Sequence, residues 1–184
     1  NQHLSYIQTN GIVAAVRRVP SKLSELVEGY RLENTVNSRW KQLVSTNQHG
    51  ISTEPRNPNL VISLTSFPPR INSVPDTIQS LLVQTLKPDK IVLWLAEDEF
   101  PYKDADLPSS LLGLKDYGLT IGWCKNTRSF KKLIPSLCVW PDAVIVTVDD
   151  DVIYPPDLLA LLYAAHQKQP KLVHSHWANT FSIT

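Results

Sequence analysis

The residues best suited to chemistry are three consecutive carboxylates, Asp149, Asp150 and Asp151, which end the apolar run Ala143–Val148. Adjacent carboxylates repel one another and lose solvation when buried, so positive charge is expected beside them. One acid is enough to suit a helix N-terminus. Three after a buried strand point instead to a hard divalent cation, Mn2+ or Mg2+, which takes oxygen ligands from one or two carboxylates and from substrate phosphates. Two carboxylates two residues apart at a turn can share one ion. The competing reading is an acidic helix start with no ligand.

Other polar residues match a phosphate. Lys125, Arg128, Lys131 and Lys132 form the densest basic cluster and open a helix, whose first N–H groups also attract anions. The stretch Thr65–Arg70, "TSFPPR", offers the hydroxyls of Thr65 and Ser66 and the planar cation of Arg70 on a stiff Pro68–Pro69 turn. Glu97 stands where a carboxylate accepts hydrogen bonds from a base or ribose. For each there is a plainer alternative: a rigid polar loop, a solvated helix face, an acidic surface loop over 98–106. Neither G-x-G-x-x-G nor G-x-x-x-x-G-K-[ST] occurs, so the chain carries no dinucleotide fingerprint and no P-loop.

The elements that position these residues alternate. Short apolar runs at 59–65, 90–96, 119–124 and 143–149 read as strands, with a fifth at 171–176. Between them, 71–86, 107–118, 129–137 and 155–169 read as helices. Ile71, Val74, Ile78, Leu81, Leu82 and Leu86 mark one apolar face; Phe130, Leu133, Ile134 and Leu137 mark another, shortened or kinked by Pro135. Pro155 and Pro156 fall around the first turn of the last helix, and Asp157 favours its dipole. The pattern predicts an α/β domain, a mostly parallel sheet with helices on both faces. In such sheets ligands lie beyond the carboxyl ends of the strands, where every residue named above falls. Residues 1–55 stand apart as a polar, partly helical N-terminal extension and linker, with a helix at 21–44 whose loose stripe is Leu23, Leu26, Val27, Tyr30 and Leu32. The core is 56–184.

Composition narrows the class. The 184 residues are 42% hydrophobic and 19% charged, with a formal net charge of +1, which argues against a nucleic-acid partner. No apolar run approaches the ~20 residues of a membrane span. Cys124 and Cys138 are isolated, which suits a reducing, cytoplasmic setting or the inner membrane face. The chain starts at Asn1 and has no Met, so the expectation is a processed or partial chain.

Four motifs in order then resemble a family 2-type glycosyltransferase of the GT-A fold, nearest its bacterial polysaccharide-biosynthesis branch. Members read "SLTS-(F/Y)-P-x-R", "QTLKPDKI-x-LWLA", "RS-(F/Y)-KKLIP" and "DDD-x-x-YP"; this chain has them at Ser63–Arg70, Gln84–Ala96, Arg128–Pro135 and Asp149–Pro155. The resemblance covers roughly residues 59–180. It implies a Rossmann-like nucleotide-sugar-binding core and metal-dependent, inverting transfer of a sugar from a nucleoside diphosphate, UDP favoured, to a saccharide or lipid-linked acceptor. Carried over, Thr65, Ser66 and Arg70 belong to the nucleotide loop and Glu97 to the base or ribose. Arg128 and Lys131 lie near the diphosphate. Asp149 faces ribose or metal, Asp150 stands between or contacts the donor sugar, and Asp151 is the main metal ligand. Family members continue into an acceptor-binding half that supplies the general base, so the expectation is a donor-binding portion lacking it. His174 and His176 alternate on the expected fifth strand and face one way. Two alternatives remain: a non-catalytic nucleotide-binding or regulatory module, and a haloacid-dehalogenase-type phosphatase. The latter normally opens its domain with the D-x-D element, whereas here only the short remainder of the chain follows it.

Overall fold

The structure, a computed structural model, describes residues 21–54 and 56–175, with side chains from Leu26 onward. The chain divides into two compact units between Arg31 and Leu32. Helix α1 (Ser21–Ser45) supplies the described part of the first unit, where Leu26, Val27 and Tyr30 are exposed. Of the expected stripe, these three are open to solvent, Leu32 is half-buried, and the Leu23 side chain lies outside the described ones. In the second unit the buried positions of α1 are Val36 and Leu43, which cluster with Val83, and Trp40 meets Tyr117 edge-on.

Four strands build the sheet of the second unit: β1 (Leu60–Thr65), β2 (Lys90–Ala96), β3 (Leu119–Cys124) and β4 (Val144–Thr147). All pairings are parallel and the spatial order is β3-β2-β1-β4. These segments are near-continuous apolar runs because helices cover both faces of the sheet. On one face Leu60, Ile62, Leu64, Ile91, Leu93 and Leu95 pack against α2 (Val74–Leu82) and α3 (Ser109–Leu112). On the other, Val61, Val92 and Trp94 lie toward α4 (Ile134–Val139), whose Ser136 hydroxyl accepts the Trp94 indole N–H at 2.8 Å. Helix α5 (Leu158–Lys168) adds Leu159 to the first face.

The helices are shorter than their apolar periodicity predicts, for identifiable reasons. Pro75 sits in the first turn of α2, where its missing N–H costs nothing. Helix α3 tightens into a 3-10 turn, Gly113–Tyr117, and stops at Gly118, whose φ of 117° suits only glycine. Pro135 splits the next segment into a 3-10 turn, Arg128–Lys132, and the six-residue α4, as its lack of an N–H requires. Pro155 and Pro156 precede α5 instead of entering it.

Two expectations are overturned. Residues 171–175 form no strand: a turn bond from the Leu172 N–H to the Gln169 carbonyl bends the chain after α5, and Val173 is 99% exposed. His174 turns back, its Nε2 3.0 Å from the Gln169 carbonyl oxygen, and His176 lies outside the described residues. The segment 129–137 is also inverted. Phe130, Leu133, Ile134 and Leu137 are exposed, while Lys131 and Ser136 are buried. The sheet face beneath presents the Ser63 hydroxyl and the Trp94 indole. A buried hydroxyl and indole N–H need partners, and Ser136 and the Lys132 carbonyl supply them. Polar satisfaction, not apolar periodicity, sets the rotation of this segment.

Candidate active site at the β1–β4 crevice

Strands β1, β2 and β3 step outward in one direction, and β4 returns to the other side of β1. The crevice between the carboxyl ends of β1 and β4 is thus a topological switch point, where open parallel sheets bind ligands. A cleft of about 450 Å3 lies there. Thr65, Ser66, Phe67 and Arg70 form one wall, Asn126, Arg128, Ser129, Lys131 and Lys132 a second, and Val148, Asp149 and Asp150 a third. Glu99 completes it.

The three aspartates are held differently. Asp150 is 6% exposed. Its Oδ2 accepts the Ser66 hydroxyl at 2.5 Å and its Oδ1 the Arg70 Nη1 at 3.0 Å. Its backbone carbonyl accepts the Thr77 hydroxyl. Asp149 and Asp151, one residue to either side, have exposed carboxylates. Lys132 Nζ reaches Asp149 Oδ1 at 2.6 Å, and Arg70 Nη1 reaches Asp151 Oδ2 at 2.9 Å. A single guanidinium nitrogen therefore bridges Asp150 and Asp151. That contact holds the Arg70 pKa above its usual value, first through the hydrogen bond to Asp150 and then through the charges of Asp150 and Asp151.

Helix α2 supports this turn with polar groups on one side. Thr77 holds Asp150, and the Ser80 hydroxyl accepts the Tyr154 N–H. Gln84, just past the end of α2, donates to the Pro155 carbonyl and accepts the Leu159 N–H. Tyr154 in turn accepts the Asp149 N–H on its hydroxyl at 2.9 Å. Burial pushes the Tyr154 hydroxyl pKa up, and the hydrogen bond from Asp149 partly offsets this.

The basic wall is half committed. Lys131 is 3% exposed; its ammonium donates to Glu99 Oε2 at 2.6 Å and to the Ser66 carbonyl. It ties the wall to the β1 loop. Arg128 is exposed and has a φ of 54°, unusual for a side-chain-bearing residue; its N–H donates to Asn126 Oδ1. Backbone strain of this kind clusters at ligand sites. Thr65 donates its hydroxyl to the Trp94 carbonyl. Glu97 stands apart from the cleft lining, exposed and 3.4 Å from Lys103, whose ammonium lies 5.9 Å from the centroid of the Trp123 ring. Burial raises the Cys124 thiol pKa most; Lys131 opposes this, and Glu97, Glu99 and Asp98 add to it.

The structure thus gathers Thr65, Ser66, Arg70, Arg128, Lys131, Asp149 and Asp150 around one cleft, with Asp151 joined through Arg70. Sequence reasoning passed over Glu99, Tyr154 and the Thr77–Ser80–Gln84 series. The last had a signal, polar residues at helical spacing in an apolar helix; Glu99 had none, since it lies in a run of acids. Among the described residues no three carboxylate, imidazole or thiol groups converge on one point. The donor set that does exist, two exposed hard-oxygen carboxylates beside the cleft, suits a cation that draws its other ligands from a diphosphate and water. No helix among the described residues is long and apolar enough to cross a membrane. Neither family models nor curated proteins yield a match to this chain.

Proposed function

We propose that this chain binds a nucleoside-diphosphate sugar, UDP-linked first among candidates, and is the donor-binding part of a metal-dependent, inverting glycosyltransferase. The observation that carries this reading is the meeting of hydroxyls, cations and carboxylates from three separate loops at one switch-point cleft. Asp151 and Asp149 would hold Mn2+ or Mg2+, which as a Lewis acid neutralises charge on the departing diphosphate. Asp150 would not ligate; it anchors Ser66 and Arg70 so that the β1 loop and the aspartate turn keep their spacing. Arg128, exposed on the rim, is free to meet the diphosphate, and Arg70 can exchange Asp151 for a phosphate oxygen. The acceptor would be a saccharide or lipid-linked hydroxyl, and the setting the cytoplasm or the inner membrane face.

One observation favours a second reading, a nucleotide-binding module without transfer: each aspartate already has a cation or hydroxyl of this chain as its partner. Calorimetric titration with UDP, GDP, CDP and TDP, with and without Mn2+, tests both. The glycosyltransferase reading expects metal-dependent binding of one diphosphate, weakened about tenfold or more by Asp151→Ala, consistent with loss of a charged ligand. Binding that ignores both the metal and Asp151→Ala would remove Asp151 from its role and leave the module reading.

A further inference from the structure

Strand β4 is an edge of the sheet, and among the described residues no strand pairs with its outer side. The Val144 and Val148 N–H groups donate toward β1, to the Asn59 and Ser63 carbonyls. A parallel ladder alternates, so Ile145 and Thr147 turn their N–H and C=O groups outward, where no described residue meets them. Natural edges are blunted by charge, proline or a bulge. Val144–Thr147 has none of these, and its Val144, Ile145 and Val146 are half-buried. A cleft of about 710 Å3 runs along this edge. Every residue from Ala143 to Asp149 lines it, not every second one, so it follows the edge itself and does not lie over one face of the sheet. Leu158, Leu162 and Tyr163 of α5 flank it, and so does the chain from Leu172 to Ser175. Spare main-chain donors and acceptors two residues apart in an apolar cleft fit one more extended strand.

The course of α5 identifies that strand. The helix begins beyond the aspartate turn, at the carboxyl ends of the strands. Halfway along it the Tyr163 ring lies 5.6 Å from the Arg56 guanidinium. Arg56 pairs with Asp89, which accepts the Leu60 N–H at the start of β1. Helix α5 therefore runs back to the amino ends of the strands. There His174 packs edge-on against His166 of its last turn, ring centroids 6.2 Å apart, and Ser175 still lines the cleft. A chain that continues along β4 from this point runs parallel to it, and strand, helix, parallel strand is the ordinary crossover of such sheets. The residues that follow, 176–184, lie outside the described ones and read "HWANTFSIT". Extended, that stretch puts Trp177, Phe181 and Ile183 on one side and Ala178, Thr180 and Ser182 on the other. At ~3.3 Å per residue it reaches ~30 Å, more than the ~20 Å of edge from Ala143 to Asp149. We propose that residues 177–183 of this chain pair in parallel with the open edge of β4. Ile145 and Thr147 would be their main-chain partners, with Trp177, Phe181 and Ile183 turned toward Leu162 and Tyr163. The added strand would end beside Asp149, which lines both clefts, and so close the candidate site on its outer side. The pairing does not depend on nucleotide binding or on glycosyl transfer.

Amide hydrogen exchange of the whole chain, read residue by residue by NMR, tests this. In wild type the outward Ile145 and Thr147 amides should exchange within about tenfold of the inward Val146 amide, since both sides of β4 are then laddered. The double substitution Asn179→Pro/Thr180→Pro removes a ladder donor in either register, because neighbouring residues of a strand turn their N–H groups to opposite sides. It should speed exchange at Ile145 and Thr147 about tenfold or more and leave Val146 within about threefold. Phe181→Asp keeps every donor, charges the side turned toward α5, and should speed the same two amides. Circular dichroism confirms that each variant is folded. Fast exchange at Ile145 and Thr147 in wild type, or slow exchange that both variants leave untouched, overturns the proposal. Protection that rises with protein concentration and survives the prolines overturns it in favour of a second copy on the edge. UDP titration of the same proteins keeps the two readings apart: failure here with intact UDP binding spares the nucleotide site, and the reverse result spares the added strand.

Discussion

Removing each aspartate in turn should separate scaffold from ligand-binding group, because burial differs across three adjacent residues. Asp150→Ala deletes a carboxylate that is 6% exposed and leaves the buried Ser66 hydroxyl without its acceptor. A charge-assisted hydrogen bond of this kind contributes roughly 1.5–3 kcal/mol, and the stranded hydroxyl sets the upper half of that range. Arg70 is partly exposed and retains Asp151, so its re-pairing adds little. For a chain of this length each kcal/mol moves the midpoint about 2–4 °C, so Asp150→Ala should melt about 4–12 °C below wild type. Asp150→Asn, which keeps an acceptor for Ser66, should recover more than half of that loss. Asp149→Ala removes an exposed carboxylate whose ion pair contributes at most about 1 kcal/mol. It and Asp151→Ala should melt close to wild type. Nucleotide affinity with Mn2+ should rank the other way, with Asp151→Ala and Asp149→Ala the weakest binders per folded molecule. Thermal melts and calorimetry on wild type and the four variants give both rankings. If Asp150→Ala and Asp149→Ala melt together, the division of labour within the triad is wrong.

Three further perturbations probe the frame around the site. Gly122→Ala places a Cβ against Trp94 Cε3, closer than real Cβ contacts allow, so the strand or the ring must shift; a loss of about 1–3 kcal/mol in denaturant unfolding and altered Trp fluorescence are expected. Glu99→Ala leaves the Lys131 ammonium 3% exposed without its carboxylate, and should cost about 3 kcal/mol, more than any exposed ion pair, on the same unfolding curve. Tyr154 has its pKa raised mainly by burial. The unfolded chain therefore ionises first, so its contribution is whole below the ordinary value near 10 and falls as pH climbs through the folded value. Unfolding free energies from pH 8 to 11 should fall less steeply in Tyr154→Phe than in wild type; parallel slopes would refute the shift.

The strands were legible almost to the residue, with 90–96 and 119–124 matching β2 and β3: β2 is buried along nearly its whole length and so is apolar throughout, while the half-buried edge strand β3 is bounded by Gly118 and the polar run from Lys125. Helix breaks were legible wherever proline or glycine forced them, as at Pro135 and Gly118. The polar loops that line the cleft were legible as loops too, since each follows the carboxyl end of a strand. Three matters were not. Sequence order does not reveal that β4 lies beside β1, and that adjacency alone puts the Asp149–Asp151 turn against Ser66 and Arg70, some eighty residues earlier in the chain. Periodicity marks which side of the 129–137 segment is apolar but not which side is buried; the polar groups of Ser63 and Trp94 beneath it decided that. The fifth strand failed because a strand needs a neighbour to ladder with, and the turn after α5 carries 171–175 away from any ladder. What the sequence by itself determined is the set of residues available for chemistry and the α/β frame that displays them, because both follow from local residue type and spacing. Only the tertiary structure decided which carboxylate is buried, which cations are already paired and which apolar side faces water. Those depend on contacts between segments far apart in the chain, and on where a buried polar group can find a partner.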